Sequence, residues 1–124
     1  MRRIQAIAQA EFIYYVIDAY KKQCKKYGAE NMKKTGDGIN FAIRGLDKVL
    51  GANYSSQKVI DVFGKDALKG LMWDKLAKHK DGKVKMYHFE HAYTVSTMKR
   101  ELVNNSFTQE EAVEFILSNY ACCW

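Results

Sequence analysis

RIQAIAQAEFIYYVIDAYKKQCKKY, residues 3–27, is the stretch from which the fold class follows. Ala6, Ala10, Ile13, Ile17, Tyr20, Cys24 and Tyr27 recur in steps of four and three, which lays them along one side of a helix. Phe12 and Val16 are expected to widen that stripe. Lys21, Lys22, Lys25 and Lys26 crowd the last turns, where positive charge suits the helix dipole, and Gly28 follows as a C-terminal cap.

Outward from this helix, Ala29 to Asn40 is polar, contains Gly36-Asp37-Gly38, and reads as a loop. Lys33-Lys34 ahead of those glycines lacks Walker spacing and a preceding apolar strand, so no nucleotide loop is expected. A second helix is predicted over Ile39–Leu50, ended by Gly51. A third runs from a Ser55 or Ser56 cap through Val59, Ile60 and Phe63, and a fourth carries Ala67 to Leu76. Helix, Gly51 turn, helix resembles a helix-turn-helix DNA reader, with Asp47 where a small residue is usual.

Lys83 to Phe89 alternates polar and apolar residues and is the one strand signal, without an obvious partner. Ser96 or Thr97 can cap a helix through Met98, Leu102 and Val103. Thr108 caps another in a Thr-x-x-Glu capping box closed by Glu111, with Ala112, Val113, Phe115, Ile116, Leu117 and Tyr120 as its apolar residues. The chain of 124 residues contains no proline, where average usage would supply about six. Proline is excluded by long helices. The expected fold is therefore mainly α, one compact domain over 1–124 with five to six helices and at most one short β element near 83–89.

A hydrophobic content of 48% argues against disorder, and the longest apolar run, Phe12–Ile17, is too short to span a membrane. Gln5, Gln9 and Glu11 interrupt any signal-peptide core. Three cysteines make no C-x-x-C pair; the odd count fits a reducing compartment, and a cytoplasmic protein is expected. Cys122-Cys123 could chelate a soft metal only with ligands from elsewhere. The apolar end Tyr120–Trp124 suggests either a terminus tucked into the core or a longer parent chain.

Net charge is +6, unevenly spread. Residues 1–35 hold eight basic and three acidic side chains, whereas 104–124 hold only Glu110, Glu111 and Glu114. A basic body with an acidic end points to a polyanionic partner, and the leading expectation is a nucleic-acid-binding protein. Its contacts would be Lys21, Lys22, Lys25, Lys26, Lys33, Lys34, Lys83, Lys85, Lys99 and Arg100.

One compact group could carry chemistry: His88-Phe89-Glu90-His91. Two imidazoles and a carboxylate within four residues suit a divalent metal or an acid–base pair. The alternative function is thus a metal-dependent nuclease or phosphodiesterase, with His91 as base or ligand, and His88 and Glu90 as ligands. Glu90-His91, ahead of a loop and helix, is similar to the HNH nucleases over those two residues, which implies a water-activating histidine. That family also needs a later histidine, and none follows His91 here. A third reading is a helical protein–protein interaction module or inhibitor, with Tyr14, Tyr15, Trp73 and Tyr93 as anchors.

Overall fold

The computed structural model describes residues 2–55 and 90–123, with Gln57, Ile60, Asp61 and Gly64 between them. The predicted strand over 83–89 and the predicted helix over 67–76 lie outside the described residues. So does most of the predicted helix beginning at Ser55 or Ser56, of which Gln57, Ile60 and Asp61 are helical.

Helix α1 runs Arg2–Tyr27 and, at 1.5 Å per residue, is about 39 Å long. Its stripe buries Ala6, Ala10, Ile13 and Ile17, each 4% exposed or less. Phe12 does not join it: at 53% exposure it stands on the solvent side, one position and about 100° around from Ile13. Tyr27 is likewise exposed, because the core ends before the last turn. Gly28 follows the helix as predicted, its N–H donating to Cys24 O.

The segment read as a loop contains a 3₁₀ turn, Ala29–Asn31, and then enters α2, Asp37–Arg44. The helix predicted over Ile39–Leu50 is two pieces, α2 and the single turn α3, Asp47–Leu50. The break falls at Gly45, where the side-chain amide of Gln9 on α1 comes in to donate to Ala42 O at 2.7 Å. A Cβ at Gly45 would collide with that amide. A contact 33 residues away in sequence thus shapes this corner.

Gly51, at φ 64°, turns the chain out of α3. The next residues do not turn straight into a second helix, as a helix-turn-helix would. Instead Asn53 and Tyr54 both donate backbone N–H groups to Cys122 O. Beside them β1, Glu90–His91, pairs antiparallel with β2, Cys122–Cys123, placing Glu90 opposite Cys123 and His91 opposite Cys122. The expectation of at most one β element fails here, since the apolar chain end supplies a second.

Helix α4, Val95–Asn104, is capped by Thr94, whose hydroxyl accepts from Thr97 N–H, so the cap sits two residues before the predicted Ser96. Helix α5, Gln109–Asn119, has the predicted capping box, with Thr108 and Glu111 satisfying each other's backbone N–H. The described residues hold four helices of eight residues or more plus α3, so the class is α as expected. One cluster of buried side chains joins them, centred on Ile13, Ile39, Leu46, Met98 and Ile116. None of the described helices is long and apolar enough to cross a membrane.

Candidate functional site

Asp47 is the only charged residue among those described that is buried, at 8% exposure. It occupies the first position of α3, the single turn that ends at Leu50. Burying a carboxylate is costly unless donors surround it. Three do, all on the same oxygen, Oδ1: His91 Nε2 at 2.8 Å, the Tyr120 hydroxyl at 3.2 Å and the Cys122 thiol at 3.8 Å. The Tyr120 hydroxyl also reaches Gly51 O at 2.8 Å, tying the carboxylate to the end of α3.

The β pairing is what delivers two of those groups. His91 and Cys122 are register partners and therefore project to one face, while Glu90 and Cys123 project to the other. Asn53 locks the register: its side-chain amide donates to Tyr120 O and its carbonyl accepts from Cys122 N–H at 2.7 Å. Burial holds the Cys122 thiol protonated, pushing its pKa up to about 12. Burial and the neighbouring Cys122 and Asp47 raise the Tyr120 phenol in the same direction.

Of the predicted cluster, His88 lies outside the described residues, as do Lys83 and Lys85. Glu90 is exposed, and His91, 21% exposed at its side chain, faces the opposite way, toward Asp47. His91 and Glu90 both line an open groove whose other walls include Asn40 and Arg44 of α2 and Thr94 and Ser96 at the start of α4. The Asn40 side-chain oxygen is buried there and has no hydrogen-bond partner among the described residues.

From that groove the seam between α2 and α4 leads to the basic residues. Ser96 shares the groove with Arg44, while the Lys99 side chain reaches Gly36 at the start of α2. Lys99 Nζ lies over Gly36, 3.2 Å from where a Cβ would stand, with the Lys33 carbonyl oxygen 3.3 Å from the same point, and Lys33 and Lys34 are both exposed. Lys21 of α1 crosses to the end of α4, donating to Asn105 O at 2.7 Å. Lys22 pairs with Asp18 at 2.9 Å, Lys25 is exposed, and Lys26 sits over the Tyr27 ring. Arg100 is exposed on α4, one position around from Lys99.

Asp47, Tyr120 and Arg44 are the site residues that sequence reasoning missed. One local signal did exist for Asp47: an acid set among the apolar residues Ile43, Leu46, Val49 and Leu50 of the sequence. The chain matches no protein-family model, no curated protein and no solved structure.

Proposed function

We propose that the chain binds the phosphate backbone of a nucleic acid along the α2–α4 seam. The observation that carries this reading is the placement of cations from separate segments along the seam: Lys99 of α4 reaches Gly36 and the Lys33 backbone at one end, where Lys33 and Lys34 are exposed, and Arg44 lines the groove at the other. Helix α2 spans about 12 Å, matching the axial rise of three to four phosphates at about 3.4 Å each on one strand. Two acids border the seam, Glu90 in the groove with Arg44 and the exposed Asp37 in the first turn of α2, but the C-terminal glutamates lie elsewhere. Glu110 and Glu114 line a separate groove with Arg3, Ile7 and Glu11, on the N-terminal half of α1. A phosphate strand on the seam is thus spared their repulsion.

The test is retention of single- and double-stranded DNA and RNA by the purified chain as salt is raised. Binding that weakens steeply with salt, and weakens further in a Lys33→Ala, Lys34→Ala, Lys99→Ala triple variant, is the expected outcome. Retention that ignores salt, or no retention at all, rejects the reading.

A second reading is phosphodiester hydrolysis at the groove end of the seam. It is favoured by one observation: a partly exposed His91, held by a buried carboxylate, beside Arg44 and Glu90. His91 would serve as base or metal ligand, with Arg44 on the phosphate. Plasmid and RNA incubated with magnesium, manganese or zinc should be cut by the chain and not by a His91→Ala variant. Equal cutting by both removes His91 from any mechanism.

A further inference from the structure

We propose that Asp47, His91 and Cys122 form a binding site for a zinc-class divalent cation, with Tyr120 holding the carboxylate ligand in place. The three ligand atoms come from three separate parts of the chain and lie within 4.8 Å of one another. Two of them converge on one carboxylate oxygen, His91 Nε2 at 2.8 Å and Cys122 Sγ at 3.8 Å.

Two of the three separations are close to those a tetrahedral ion imposes, and the third, His91 Nε2 to Cys122 Sγ, lies within 4.8 Å where an ion would set about 3.5 Å. With metal–oxygen and metal–nitrogen bonds of about 2.0 Å and a metal–sulfur bond of about 2.3 Å, the oxygen–nitrogen edge is about 3.3 Å and the oxygen–sulfur edge about 3.5 Å. The ion would therefore open the Asp47–His91 contact by about half an ångström and draw Cys122 in by about a third. Side-chain rotation on this scale leaves the backbone register of β1 and β2 intact.

The donor set selects the metal. A nitrogen, a sulfur and a single carboxylate oxygen suit zinc, cobalt or copper, whereas magnesium and calcium need several oxygens. Charge gives the cation a role here. Among the described residues no lysine or arginine reaches Asp47, so a buried carboxylate is met only by a phenol, a thiol and an imidazole. Binding would expel the Cys122 thiol proton to solvent and move the His91 Nε2 proton to Nδ1 or to solvent, and the resulting thiolate and carboxylate would balance the two positive charges. Tyr120, bonded to both Asp47 Oδ1 and Gly51 O, supplies the outer contact that orients a metal-bound carboxylate. Three protein ligands leave one position open, as in zinc sites that take a water or a substrate oxygen.

The site stands independently of nucleic-acid binding, and its test uses none. The chelator-treated full chain is titrated with cobalt(II) alone. Expected are one equivalent bound, a thiolate-to-cobalt charge-transfer band in the near ultraviolet, and the strong visible bands of a four-coordinate ion. Cys122→Ser should abolish the ultraviolet band while Cys24→Ser and Cys123→Ser keep it. Absence of that band in the unmutated chain, or its persistence in Cys122→Ser, overturns the proposal. X-ray absorption at the zinc edge of the unmutated chain needs no folded variant. One sulfur scatterer among oxygen and nitrogen supports the site; a shell of oxygen and nitrogen alone overturns it.

Discussion

Cys122 combines features that sequence reads separately. Its position in an apolar chain end was legible, and the structure buries it completely. Its neighbours were not legible, because Asp47 lies 75 residues away and no local pattern links them. His91 was legible as chemistry-capable from His-Phe-Glu-His, but the partner it bonds is Asp47 rather than its sequence neighbours. In the metal-free protein the raised thiol pKa has two consequences. The native chain at pH 8 should leave Cys122 unalkylated by iodoacetamide until it is unfolded, as peptide mass spectrometry would read. Stability should also fall as pH climbs from the thiol's ordinary 9.0 toward about 12, since only the unfolded chain releases that proton easily. Tyr120 adds to the same alkaline loss, its folded pKa also being raised. Rapid native alkylation of Cys122 would contradict the burial described.

Elements were readable where the signal is local. The α1 stripe follows from its own four-three spacing, and the Thr108–Glu111 box from four consecutive residues. The break at Gly45 was not, because it depends on where Gln9 of another helix arrives. Nor was the partner of β1, a strand of two residues with no alternation of its own. Thr108→Ala should cost about 1 kcal/mol in denaturant unfolding with an unchanged slope, since it removes one of two reciprocal cap bonds. Glu111 has a pH signature. Hydrogen bonds from Thr108 hold its carboxyl below the ordinary 4.5. Its contribution is therefore present above that value and lost as pH falls through the lower folded pKa. Glu111→Gln should flatten this acid limb of the stability curve, and an unchanged limb would mean that the box is not formed in solution.

For the whole molecule, the sequence conveyed the fold class and the uneven charge, because composition and periodicity are sums over many residues. It could not convey which cations meet. Lys99 reaches Gly36 and the Lys33 backbone because α4 packs against α2, and Arg44 lines one groove with His91 by the same packing. The result is a molecule with its C-terminal α1 lysines and α2–α4 seam basic, and its α5 groove acidic. The most direct measurement is the slope of log affinity against log salt for a short DNA or RNA, in the unmutated chain and the Lys33, Lys34, Lys99 triple alanine variant. A steep negative slope that becomes shallower by about 1 for each lysine contacting phosphate is the result predicted. An unchanged slope in a variant with undiminished affinity would place the nucleic acid elsewhere and contradict the seam.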